Sequence, residues 1–424
     1  MQPRRLAIVL VLAAAIGLVA ALAAWLFLEG AHQLQVGLYD DVPDWLGFDD
    51  TPRWWSVPLL AIGGLLAGLA ITRLPGHGGH IPANGLNASG ATLPQELPGV
   101  LIAALASISF GAVLGPEAPL IALGGALGLL GYRLVARGQP EELGQLLAGC
   151  ATFSAVSLIF GSPIIAAVIL IEATGIGGDK LPRLIVPGLL AAGVGSLVSI
   201  GLGSFTGLSN AAFAISPIDL PAFDRPSAVD FLWSIALAAV VAIGCVIVVR
   251  GGREALRVVQ RHQVVSSVVG GLAIAGLAIA FSYAAGHPVD EVLFSGETAL
   301  PGLVADASAW SVGALLLLVA FKGVAWSISL AAFRGGPTFP AMYLGAAAGL
   351  VFSHLPGYDL TPAVAVGMGA AVAAVLRLPL SAVVLATLMT AKAGVGSSPL
   401  IIVGVVVAYL ITMALAARGV EQQA

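Results

Sequence analysis

Apolar residues fall in long runs separated by short breaks rich in glycine, proline and polar side chains. The first run extends from Leu6 to Leu28. Others cover roughly 54–72, 98–114, 117–136, 143–160, 163–173, 184–203, 228–250, 265–285, 311–333, 339–353, 362–376, 379–391 and 398–417. A bilayer core takes about 20 apolar residues per helix, so the longer runs predict membrane helices. Several runs are too short to cross alone. Broken helices of that kind are tolerated at membrane depth only where protein or a polar cavity covers their ends.

Composition agrees with this pattern. Of the 424 residues, 58% are hydrophobic and 9% charged, against about 25% charged in a soluble domain. The chain reads as an all-α polytopic membrane protein with room for about ten crossings and additional broken segments. A net charge of -4 gives no reason to expect a nucleic-acid partner. The two cysteines, Cys150 and Cys245, lie inside apolar runs and read as packed thiols rather than a disulfide. The Leu6–Leu28 run follows Arg4-Arg5 but is long for a signal peptide and lacks a clear cleavage site, so it is read as a retained first helix.

Basic residues cluster at Arg4-Arg5, Arg73, Lys180 and Arg183, and from Arg250 to Arg261, whereas 40–50 is rich in aspartate. The positive-inside rule places the basic loops and both termini in the cytoplasm. The segment 204–227, with Ser209-Asn210, Pro217, Pro221, Asp224 and Pro226, is the best internal boundary. It divides the chain into a first membrane repeat at 1–210, an extracytoplasmic linker at 211–227 and a second repeat at 228–424.

The division rests on internal similarity. Gly115-Pro116-Glu117-Ala118-Pro119 with Leu123-Gly124, Ala126 and Gly128 matches Gly336-Pro337-Thr338-Phe339-Pro340 with Leu344-Gly345, Ala347 and Gly349, at one constant spacing. Pro163, Ala166, Val168 and Thr174 then match Pro379, Ala382, Val384 and Thr390 at nearly the same spacing. A first half that starts inside and ends outside makes the second copy inverted. Inverted repeats with broken helices are a common transporter architecture, with the ion site at the repeat interface.

Pro116, Pro119, Pro337 and Pro340 read as paired helix entrances, because a proline near a helix start gives up only an N–H that would be unpaired there. Such an entrance attracts anions through its free N–H groups and helix dipole. Two of them would hold one anion without a full positive charge, which would bind too tightly for rapid turnover. Glu117 stands where that anion would bind. An ionisable group at membrane depth is costly and by default a functional candidate, although the same carboxylate would also serve as a plain cap. A third Gly/Pro entrance, Gly76 to Gly85, contains His77 and His80; with no carboxylate or cysteine beside them it is not read as a metal site.

These residues resemble the CLC chloride channels and chloride/proton antiporters, in a short, divergent prokaryotic branch. Gly79-His80-Ile81-Pro82 is similar to the first filter loop of that family, Gly115 to Pro119 to its glutamate loop, and Gly335 to Pro340 to its third loop. The resemblance implies a CLC-like inverted repeat of broken and tilted helices, a homodimer with one pore per subunit, and Glu117 as a gate that swings away when protonated or displaced. It also implies anion-binding positions at Gly79, His80, Ile81, Gly115, Pro116, Ala118, Thr338, Phe339 and Pro340. The chain departs from the family at Gly79, where a serine is usual, at Pro337, which has no N–H, and at Phe339, one position late. Counted from Pro163, the inner glutamate of the antiporters falls on Ala173, with Glu172 adjacent. Glu172 is either a substitute proton relay or the polar end of a helix. The family's last helix, which carries a tyrosine, is expected to be absent or vestigial, and no soluble regulatory domain is expected.

The expected function is transport of chloride or a similar small anion, as a channel or anion/proton antiporter, with no cofactor. Fluoride or nitrate is the alternative cargo. An intramembrane enzyme is the remaining class; its nearest candidate is Ser295-Gly296-Glu297, but no histidine lies within the apolar runs and no HExxH motif occurs.

Overall fold

A computed structural model describes residues 3–85, 91–136, 138–175, 181–206 and 217–421. Lys180, Ser209-Asn210 and the start of the 211–227 linker lie outside the described residues. Fourteen helices of ten or more residues are described, and no strand is present among them. They are α1 Pro3–Val36, α2 Ser56–Arg73, α3 Leu97–Ile108, α4 Glu117–Val135, α5 Glu141–Ile159, α6 Pro163–Thr174 and α7 Leu181–Thr206 in the first half. The second half has α8 Ala228–Val259, α9 Gln263–Ala285, α10 Val312–Ala332, α11 Thr338–Phe352, α12 Leu360–Leu376, α13 Pro379–Met389 and α14 Ser398–Glu421. Nine of these are long and apolar enough to cross a membrane; α3, α6, α11, α12 and α13 are shorter.

Helix packing in the first half recurs in the second. α5 packs against α1, α4, α6 and α7, and α12 packs likewise against α8, α11, α13 and α14. Between the halves α2 packs on α9 and α6 on α13. The glycines of the matched motifs explain part of this. A Cβ at Gly124 or Gly128 would fall 2.5 or 2.4 Å from backbone atoms of Thr152 or Ala148 in α5. One at Gly345 or Gly349 would meet the carbonyls of Gly367 or Ala363 in α12 at 2.3 or 2.4 Å. The trailing glycines of the repeat therefore let paired helices cross closely, as small residues do in membranes.

Three elements differ from the apolar pattern. The 98–114 run is helical only to Ile108, because Gly111 takes φ 105 and the chain then extends toward the second half. The basic stretch from Arg250 to Arg257 is not a loop but the end of α8, where Gly252 packs against Leu330 of α10. Residues 37–45 continue the helical path of α1, so that only 46–50 of the aspartate-rich 40–50 stretch lies outside a helix. Cys150 and Cys245 are buried and unpaired.

Among the described residues, three helix entrances carry a side-chain cap from their own N-cap residue. Ser227 and Asp230 form a capping box on α8, and the Ser162 and Ser311 hydroxyls accept from N–H groups of α6 and α10. α4 and α11 begin after Pro116 and Pro337 with no capping side chain at those positions. Their first-turn N–H groups are left for another acceptor.

Candidate functional site at the meeting of two helix entrances

The segments ahead of α4 and α11 pair directly. The Gly115 N–H donates to the Gly336 carbonyl at 2.8 Å, and the Gly336 N–H returns a bond to Gly115 at 2.6 Å. Two serines brace this bridge from opposite halves. Ser329 of α10 accepts from the Val113 N–H and Ser107 of α3 from the Arg334 N–H, each at 3.0 Å. The motif positions matched in sequence are thus partners in space, and the entrances of α4 and α11 face one place.

Glu117 fills that place. Its side chain is 1% exposed, and Oε1 accepts from the Thr338 N–H at 2.5 Å. Oε2 is buried without a hydrogen-bond partner, as is the Thr338 hydroxyl. A Cβ at Gly336 would fall 1.9 Å from the Glu117 carboxyl carbon, and one at Gly115 2.2 Å from Oε2. Glycine at both bridge positions is what lets the carboxylate lie over the backbone. The carboxylate of one repeat thus sits on the helix entrance of the other, where the dipole favours negative charge.

A cavity of about 360 Å³ opens beside this centre, lined by Gly79, His80, Ala118, Pro119, Arg334 and Gly335 among others. It joins the first Gly/Pro loop to the entrance of α4. Gly78 and Gly79 take φ 73 and 79, conformations that favour glycine. A second cavity of about 410 Å³ shares Gly79 and Arg334 with the first and adds Ile81, His77, Gln260 and Gln263. The His80 ring bonds the Gly85 carbonyl, and the His77 ring bonds that of Ile71 at 3.1 Å. Burial lowers the His80 basicity; the Gly85 carbonyl opposes this and the Arg334 charge adds to it.

The expected positions divide accordingly. Gly115, Pro116, Glu117 and Thr338 meet at the bridge, and Gly79, His80 and Ala118 line the first cavity. Ile81 lies on the second. Phe339 is buried and stacks on Phe160 with ring centroids 5.7 Å apart, and Pro340 is buried. Ser295 and Glu297 form a local turn in which the hydroxyl accepts the Glu297 N–H.

Glu172 is held elsewhere. Its carboxylate accepts from the Leu380 N–H at 3.0 Å, the Ser381 N–H at 2.7 Å and the Ser381 hydroxyl at 2.6 Å. It therefore caps α13 from the end of α6, joining the second pair of matched helices. Glu172→Ala is expected to cost about 1–2 kcal/mol, the range of a lost cap with charged acceptor. Thermal unfolding in detergent checks this; an unchanged midpoint would show that solvent replaces the cap.

Two charged residues escaped the reading of the sequence. Arg334 is 5% exposed and lies between the two cavities, and Lys322 is fully buried in α10. Both stand within or beside apolar runs, and that is the signal by which intramembrane charges are found.

Comparisons with known proteins identify the family and the fold. Residues 63–413 match the profile of the voltage gated chloride channel family. A YfeO protein of Escherichia coli O1:K1, named for ion transport, is 32% identical over 352 residues, covering 81% of this chain and 79% of its own. Its counterpart in Escherichia fergusonii is 31% identical with the same coverage. Among solved structures, a slow cyanobacterial Cl⁻/H⁺ antiporter superposes with a TM-score of 0.73 at 21% identity, over 98% of this chain and 95% of that one. A CLC-type fluoride/proton antiporter gives 0.69 at 17% identity, over 97% of both chains. At these identities the structural likeness bears on the fold, which is the inverted repeat of a CLC transporter. The family profile spans most of the chain, and the protein belongs to the voltage-gated chloride channel family.

Proposed function

We propose that this chain carries chloride or a similar small anion across the membrane along a path gated by Glu117. The observation that carries the reading is the seat of the Glu117 carboxylate on the Thr338 N–H, where two uncapped helix entrances converge. A carboxylate held there occupies an anion site. When it takes up a proton or is displaced, a diffusible anion meets the same N–H groups. The adjoining cavity gives that anion a route past Ala118 toward Gly79 and His80. Membership of the family supports transport, and the related structures are of a chloride/proton and a fluoride/proton antiporter.

In this reading the protein lies in the membrane with both termini cytoplasmic and works as a homodimer with one path per subunit. The repeats occupy 1–210 and 228–424, joined outside by 211–227. Protons reach Glu117 from one face; Glu172, at the end of α6, is the candidate relay on the other.

Purified protein in liposomes tests the reading. Wild-type vesicles loaded with chloride should release it on addition of a potassium ionophore, and an opposing chloride gradient should drive proton uptake for an antiporter and none for a channel. Fluoride- and nitrate-loaded vesicles decide the cargo in the same assay. Release no faster than from empty liposomes for all three anions would sink the proposal. Where uptake occurs, Glu172→Gln should abolish it and leave anion flux; uptake that survives would remove Glu172 as the relay.

A further inference from the structure

The path is not free of full positive charge. Arg334 is 5% exposed, and its Nε is buried with no hydrogen-bond partner. Its Nη1 donates to the carbonyl of its own neighbour Phe333 at 3.0 Å. No carboxylate pairs with it: the ion pairs among the described residues are Arg257–Glu254 and Lys392–Asp219. A buried charge without a counter-charge is costly unless something else compensates it. Arg334 also forms part of the wall of both cavities, between the entrance of α4 on one side and His77 and Gln263 on the other.

The fold does not require this guanidinium. Val113 holds the matching position in the first repeat, is fully buried, and makes the same backbone bond to a serine of the opposite half as Arg334 does. An apolar side chain therefore satisfies the loop. The charge is an addition of the second repeat, on the wall shared by the two cavities.

We propose that Arg334 is the counter-charge of a bound monovalent anion, a halide or nitrate, held between its guanidinium and the Gly78–Gly79 turn. Arg334 packs on that turn, its Cγ 3.0 Å from where a Gly78 Cβ would stand. Glu96 also lines the first cavity, but its Oε2 accepts from the Leu93 N–H at 3.1 Å, in a turn of its own. Burial disfavours the charged form of His80, and Arg334 is the full cation among the residues lining this wall. The inference deepens the transport reading by assigning an affinity-setting residue to the same path. A full charge there predicts tighter binding and slower release than helix entrances alone would give.

The test is thermal unfolding of the detergent-purified full chain, titrated with sodium chloride or sodium nitrate against sodium gluconate at equal ionic strength. An anion that binds the folded state raises the midpoint saturably. Wild type should show that rise with chloride or nitrate and not with gluconate. Arg334→Gln should need about tenfold more anion for the same rise, the effect of losing one charge-assisted contact, and Arg334→Lys should fall between. Equal midpoints in all salts for wild type, or an unchanged titration for Arg334→Gln, would overturn the proposal. If Arg334→Gln does not fold, the wild-type titration and Arg334→Lys decide it. A purely structural arginine would lower the midpoint of its variants without changing the anion dependence. The liposome assay separates the two readings. Flux with Arg334-independent stabilisation leaves transport standing and removes this site. Arg334-dependent stabilisation without flux does the reverse.

Discussion

Replacing Glu117 by glutamine is expected to leave an anion path that no longer responds to pH and carries no protons. The carboxylate sits over the Gly115–Gly336 bridge with Oε1 on the Thr338 N–H and Oε2 without a partner. Glutamine has the same size and can still accept from Thr338 through its amide oxygen. It cannot take up a proton, and it brings no negative charge to compete with a diffusible anion. In wild type, acid protonates the carboxylate and weakens its hold on the helix entrance, so efflux should rise as pH falls across about pH 7.5 to 4, toward the ordinary carboxylate range. The variant should give a nearly flat profile over that interval, and any chloride-driven proton uptake should drop by at least about tenfold, a change worth about 1.4 kcal/mol. A wild-type pH profile in Glu117→Gln would remove the gate. Gly336→Ala supplies an independent route to the same result. Its Cβ would fall 1.9 Å from the Glu117 carboxyl carbon, so the carboxylate must leave its seat while remaining ionisable. Efflux from that variant should also lose most of its pH dependence.

This centre was readable in the sequence because local pattern and long-range pairing coincide there. Prolines at helix starts fix the entrances by their own chemistry, and the motif around Glu117 has its counterpart around Thr338. The two counterparts bond each other in space, Gly115 to Gly336 and Glu117 to Thr338. What was not readable depends on a partner far along the chain. The apolar run through Leu114 gives no sign that its helix stops at Ile108, because the stop serves a backbone bridge to Gly336 and a bond from Val113 to Ser329. Glu172 looked equally suited to a proton relay or a helix end, and only the fold reveals Leu380 and Ser381 as its donors. Arg334 and Lys322 were visible as letters. Their roles depend on a cavity wall and a set of carbonyls that no spacing encodes.

Lys322→Met should be among the most destabilising single changes in the chain, at about 3–5 kcal/mol, the range for removing one partner of a buried charged set. The ammonium group lies in α10, fully buried, and its three N–H groups are shared among the carbonyls of Glu291, Val292, Leu293 and Phe294 at 2.9, 3.3, 2.8 and 3.3 Å. Four carbonyl oxygens converge there because the chain turns sharply, with Phe294 in the left-handed region at φ 58. They repel one another unless a cation stands among them. Lys322 also sits 4.5 Å above the ring centroid of Tyr343 in α11, whose hydroxyl donates to the Glu291 carboxylate. A single ammonium therefore ties α10, α11 and the segment before Glu297 together. Methionine keeps the length and the packing of the stem but leaves four buried acceptors without a donor, each costing a fraction of its desolvation. The measurement is the midpoint of thermal unfolding in detergent, read alongside the monodisperse fraction after purification at low temperature. A midpoint within a degree or so of wild type would mean that water enters and replaces the ammonium. The folded fraction of the variant should still show anion release that depends on Glu117, because the Lys322 ammonium bonds the carbonyls of 291–294 and not the residues of the Gly115–Gly336 bridge. Loss of that dependence in well-folded protein would instead place Lys322 in the gate itself.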